Sequence, residues 1–184
     1  MNPKQVNNAA YQTTIAIGAS RFTQTSWYFI NILFFKNPLN VFSSLKVFLL
    51  KLYGAKLGKG VVVKPSVNIK FPWKLRMGDH CWIGEEVWID NLSEVTTGSH
   101  VTLSQGALLL TGSHDHTKTT FDFNSQPIAL EDGVWIGARA VVFGGVTCRS
   151  HSILGIASVA ERDLEAYTIY KGNPATAVIK RIIH

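Results

Sequence analysis

The sequence predicts a mainly β fold: a parallel β-solenoid, with short strands wound into stacked coils. Three observations predict it. Apolar residues recur at every sixth position from Leu57 to Leu164. Polar residues, glycines and the turn-formers Asp, Asn and Ser fill the spaces between them. The beat stops at length only once, between Leu109 and Ile128. Neither a helix nor an ordinary strand pair has period six, whereas short in-and-out strands joined by tight turns of fixed length do.

Residues 1–56 form the first element. Met1 to Thr14 is polar and lacks the apolar core of a signal peptide, so a cytoplasmic location is expected. "SWYFINILFF" and "VFSSLKVFLLKLYG" follow, and they read as an apolar, helical cap. Residues 1–78 carry eleven Lys or Arg and no acid, whereas residues 79–184 carry seven basic and twelve acidic residues. The charge-free run Phe22 to Phe35 is shorter than the ~20 residues of a spanning helix. Two roles fit such a segment: packing on the solenoid with its lysines in solvent, or peripheral contact with an anionic membrane, here its inner face.

The second element is the solenoid, residues 57–175. One series runs Leu57, Val63, Ile69, Leu75, Cys81 and Val87. A single step of eight reaches Val95, then come Val101 and Ala107, and the series resumes from Ile128 to Leu164. A companion series two residues later includes Met77, Ile83, Ile89, Leu103, Ile136 and Leu154. Glycine follows the apolar residue at Gly78, Gly84, Gly98, Gly137 and Gly155, where turn conformations that penalise a Cβ are expected. Cys81 and Cys148 fall on apolar positions and read as buried free thiols. Trp82, Trp88 and Trp135 precede apolar positions and should point outward, towards the N-terminal segment or another subunit. His80, His100 and His151 fall at turn positions and read as solvent-facing corners. Residues 111–127 form a protruding loop, and long loops in compact domains are usually functional. Residues 176–184 read as a tail.

The segments "MGDHCWIGEEVWI", "TGSHVTL" and "EDGVWIGARAVVFGGVTC" resemble the hexapeptide-repeat acyltransferases, whose fold is a left-handed parallel β-helix. "YGAKLGKGVVVKPSVNIKFPWKLRMGDHCWIGEEVWIDN", "LLTGSHD" and "YKGNPA" are similar to the colanic acid biosynthesis acetyltransferases, the WcaF-type sugar O-acetyltransferases. The resemblance implies a homotrimer, acetyl-CoA as co-substrate without a metal, and a sugar or lipid-linked glycan as acceptor. It implies an acetyl transfer to a sugar hydroxyl in polysaccharide biosynthesis, with the catalytic histidine on the protruding loop.

By the "TGSHD" match that histidine is His114. A sugar hydroxyl must lose its proton as it attacks a thioester, and imidazole is the usual base, contributing ~10²–10⁴-fold. Asn91 and Asp90, at the eight-residue step, and Asp115 are acceptor candidates. The resemblance assigns the backbone N–H groups of Ala138 and Ile156 to the thioester and pantetheine arm, and Arg162, Lys180 and Arg181 to CoA phosphate. Thr176 stands where the family often has a basic residue after GNPA. No Cys or Ser has the paired base that covalent catalysis requires. Two other readings use the same solenoid. In a zinc enzyme like the γ-class carbonic anhydrases, His114 and His116 would join a histidine such as His80 of a neighbouring subunit. The other is a non-catalytic binding scaffold. A nucleic-acid partner is not expected, because the basic residues carry no reading motif.

Overall fold

A computed structural model describes residues 4–13 and 15–184; the remaining positions of the expected 1–56 segment lie outside the described residues. The chain winds into a parallel β-solenoid of about six turns. Its first face stacks Lys56–Leu57, Leu75–Met77, Val95–Thr97, Ile128–Leu130 and Thr147–Cys148, with Leu164 bridged to Cys148 above them. The second face runs from Val62–Val63 through Trp82–Ile83, Thr102–Leu103 and Trp135–Ile136 to Ile153–Leu154 and Thr168–Gly172. Asn68–Ile69, Trp88–Asp90, Leu108–Leu110, Val141–Phe143 and Val159–Ala160 make the third.

Both hexad series point inward and pack the core: Val63, Ile83, Leu103, Ile136 and Leu154 are fully buried in one column. The register corrects one detail of the spacing. Leu57 pairs with Met77, not with Leu75, so a second step of eight lies between Ile69 and Met77. A 3-10 turn at Pro72–Lys74 takes up the two extra residues.

The glycines have a different cause from the one expected. Gly78 and Gly137 are absent from the residues with positive φ; instead, a Cβ on Gly78 would lie 2.6 Å from Gly98 C, and one on Gly137 2.7 Å from Gly155 C. Close approach between coils is what excludes a side chain. The left-handed corners are held by other residues, His80, His100 and His151 among them, at φ 55°, 58° and 59°.

The N-terminal segment is only partly the expected helical cap. Helix α1 (Arg21–Ile30) runs on through a π-turn at Asn31–Phe35, and α2 is Ser43–Leu52. Ser20 caps α1 through the Thr23 N–H. Trp27, Phe35, Leu49 and Leu50 are buried against the first coil, with Trp27 Nε1 donating to Ile69 O at 2.9 Å. Lys46, expected in solvent, is fully buried and donates to Asn40 O at 2.7 Å and Lys64 O at 3.0 Å. Residues 4–13 and 15–19 form an irregular arm with one 3-10 turn at Asn8–Ala10. The expected tail is also built in: Ala175–Lys180 pairs antiparallel with Thr168–Gly172.

Candidate active site

The interruption at residues 111–127 is a β-hairpin that leaves the solenoid after Leu108–Leu110, between the third face and the first. Gly112–His114 pairs antiparallel with Phe123–Ser125, placing His114 opposite Phe123. Asp115 accepts hydrogen bonds from the Thr117 N–H and hydroxyl at 3.0 and 2.6 Å, and these bonds hold its carboxyl below the usual carboxylate range. Its carboxylate therefore orders the hairpin tip. His116 is exposed beside it.

His114 is clamped. Its ring stacks on Phe121 at 4.4 Å and 7° between planes, and Phe123 meets it edge-on at 4.9 Å. Nδ1 lies 2.9 Å from Phe121 O. A carbonyl can only accept, so this bond places the proton of the neutral ring on Nδ1 and leaves the Nε2 lone pair free. Phe121 itself has φ 50°, a left-handed conformation rare for an aromatic residue; it accompanies a carbonyl turned back onto the imidazole.

His114 lines a cleft of about 410 Å³ with Tyr11, Thr13, Ile15, Ile17, Lys70, Leu92 and Phe123. One wall is the N-terminal arm. The Asn7 N–H donates to Thr119 O at 2.7 Å, Thr13 bridges to Phe123, and Trp73 Nε1 donates to Ile17 O at 2.7 Å. Lys74 Nζ donates to Ala16 O at 2.6 Å and also to Leu92 O. Sequence reading missed this wall, although the alternation of Tyr11, Thr13, Ile15 and Ile17 is a strand-like signal. Lys70 also lines a second cleft, beneath α1, with Gln24, Tyr28, Asn31, Lys36 and Trp88.

The two acceptor candidates of the eight-residue step have other duties. Asn91 is fully buried; its Oδ1 accepts the Phe71 N–H at 2.9 Å and its Nδ2 donates to Phe71 O at 2.7 Å. That amide braces the corner and has no free end for an acceptor, which corrects the expectation for Asn91. Asp90 is buried and pairs with Lys70 at 2.8 Å, so it fixes a cleft residue from behind.

Ala138 and Ile156 stack one coil apart at the corner between the second and third faces, tied by the bond from Ala157 N to Ala138 O at 2.9 Å. Neither Ala138 N–H nor Ile156 N–H is taken up by a bond among the described residues. The three cations separate. Arg181 closes a different corner, donating to Gly133 O and His151 O at 3.0 Å each, which removes its guanidinium from the Ile156 corner. Lys180 donates to Thr168 Oγ1 at 2.8 Å, and Arg162 is exposed where the last coil leaves the third face. Among the described residues no three His, Cys, Asp or Glu side chains are grouped to hold a metal ion. His80 stacks on His100 at 5.3 Å, at the corner between the first and second faces.

Comparison with known proteins decides the family. The chain is 38% identical over 156 residues to a colanic acid biosynthesis acetyltransferase, WcaF, of Escherichia coli; the match covers 85% of this chain and 86% of that one. The chain belongs to the WcaF-like hexapeptide-repeat acetyltransferases. A galactoside O-acetyltransferase of Escherichia coli is 26% identical over 71% of this chain and 66% of its own length. Among solved structures, a hexapeptide-repeat acetyltransferase of Vibrio cholerae complexed with acetyl-CoA superposes with a TM-score of 0.80 at 24% identity, covering 90% of this chain and 92% of that one. A galactoside acetyltransferase in complex with coenzyme A gives 0.73 at 23% identity, covering 86% and 78%. No family model matches the sequence.

Proposed function

We propose that this WcaF-like acetyltransferase moves an acetyl group from acetyl-CoA directly to a sugar hydroxyl of a glycan precursor, with His114 as the general base. The bond from Nδ1 to Phe121 O carries the reading, because it presents Nε2 as a proton acceptor inside a cleft. Nε2 takes the hydroxyl proton as that oxygen attacks the thioester carbonyl. Backbone N–H groups stabilise the tetrahedral oxyanion, for which the free donor of Ala138 is the candidate, the free donor of Ile156 being the one for the pantetheine arm. Collapse breaks the C–S bond, and the imidazolium returns its proton to the departing CoA thiolate. No acyl-enzyme is needed: both cysteines are buried, and burial pushes the Cys148 thiol up to about 12.

His114 and the Ala138 corner flank opposite edges of the third face. About five residues of strand, roughly 15 Å, separate the two edges. A base on one edge and donors on the other come together when a second copy packs against that face, which supports the expected trimer with sites shared between subunits. Lys180 and Arg162 remain the candidates for the CoA phosphates. The same chemistry serves a lipid-linked glycan at the membrane.

Thiol release from acetyl-CoA, followed with a panel of sugars and lipid-linked glycans, tests this. His114→Ala should lower the acceptor-dependent rate by ~10²-fold or more. Unchanged rates in the variant would remove His114 from the mechanism, and no CoA binding at all would remove the donor.

A further inference from the structure

Helices α1 and α2 are apolar on both sides. Trp27, Asn31 and Phe35 face the solenoid; at 100° per residue, Phe22, Phe29 and Leu33 fall on the opposite side of α1, and all three are exposed. On α2, Lys46, Leu49 and Leu50 are buried, while Phe48 and Leu52 project outward. The turn between the helices continues the surface through Leu39 and Phe42, with Leu39 85% exposed and Phe22 82%. A surface helix normally turns a mainly polar face to water, whereas large apolar side chains take up much of the outward side of this pair.

The charges around this patch name its partner. Arg21, Lys36 and Lys51 are exposed on the same two helices and their connection, and no carboxylate occurs before Asp79. Phenylalanine and leucine bordered by cations, without any acid, match the boundary between headgroups and acyl chains of an anionic bilayer: apolar rings enter it and basic groups meet the phosphates. No described helix is long and apolar enough to cross a membrane, which leaves the surface of a bilayer as the place such a pair can meet it. Position also agrees. The cleft beneath α1 contains Tyr28 from α1 and Lys36 from its C-terminal end and shares Lys70 with the His114 cleft, so the two adjoin.

We propose that residues 21–52 seat the enzyme on an anionic membrane surface and present the His114 cleft to a sugar carried on a membrane lipid. The lipid-linked acceptor rests on the acetyl-transfer reading; the docking surface does not.

The test is flotation of the full-length protein with phosphatidylcholine vesicles, with and without phosphatidylglycerol, comparing wild type, Phe29→Ser/Phe48→Ser and Arg21→Glu/Lys51→Glu. Both substituted pairs are exposed, and circular dichroism checks their fold. The wild type should float with the anionic vesicles, and each double variant should lose at least ~tenfold in partitioning. Both variants should retain transfer to a soluble sugar. A wild type that stays in the aqueous layer at low salt overturns the proposal. So do variants that bind undiminished, or variants that dissociate an oligomer while the wild type ignores vesicles, since the hairpin then covers another copy. Vesicle binding without any acceptor turnover would leave the dock standing and remove the acetyl-transfer reading.

Discussion

His114 and Lys46 show how differently two polar residues read in sequence and in space. His114 stands out in the sequence by its motif, but its tautomer does not: which ring nitrogen holds the proton of the neutral ring depends on Phe121 O, seven residues on, brought back by the β-hairpin. Lys46 reads in the sequence as a solvent lysine and is instead fully buried, joining the turn between α1 and α2 to the first coil through two carbonyls. Burial lowers its pKa from the ordinary 10.5. Lys46→Ala removes the buried stem and orphans both carbonyls, so a loss of about 2–4 kcal/mol is expected from denaturant unfolding. The pH dependence of stability gives a second readout. A lowered pKa means that the unfolded chain binds more protons between the folded value and 10.5. Across that window, wild-type stability should therefore rise with pH relative to Lys46→Met. Asn91 carries the complementary lesson: its place in the repeat was readable, but the pairing of its amide with Phe71 was not, because spacing says nothing of which backbone lies 20 residues below.

Among the elements, the strands were the most legible, since a hexad series written in Val, Ile and Leu can bury its residues only by coiling. Their stacking register was less so. The step at Phe71–Lys74 hides in the sequence because Leu75 is apolar whichever series it joins. The spacing of the glycines suggests turn conformations, whereas the stacked coils exclude a side chain by contact, and one substitution separates the two explanations. Gly78→Ala needs no unusual φ, so a purely conformational account expects a neutral or slightly stabilising change. Contact with the next coil at 2.6 Å instead expects a loss of about 1–3 kcal/mol, read as a lower Tm. The helices gave up their inner faces readily. That their outer faces are equally apolar emerges only once the solenoid shows which side it uses.

At the scale of the molecule, each coil leans on its neighbours and on little else, as solenoids do. The arm is the exception, crossing from the first residues to the hairpin of the third coil. Removing residues 1–13 should leave the Tm of the solenoid nearly unchanged, because Val6 and Tyr11 are exposed rather than core residues. It should nevertheless lower kcat/KM for the acceptor by ~tenfold or more, as one wall of the cleft goes with it. Steady-state kinetics and thermal unfolding of the same variant would show whether the two effects separate.

That crossing also sets an order of assembly. Thr13 pairs with Phe123, a separation of 123 − 13 = 110 residues, while neighbouring coils close over about twenty, as from Val63 to Ile83. Local closures are kinetically favoured over distant ones. On the ribosome, residues 7–13 emerge well before Thr119 and Phe123 and must wait until both helices, three coils and the hairpin have been made. A segment synthesised before the solenoid is thus among the last to reach its place, and the cleft at His114 is completed only after the scaffold around it has formed.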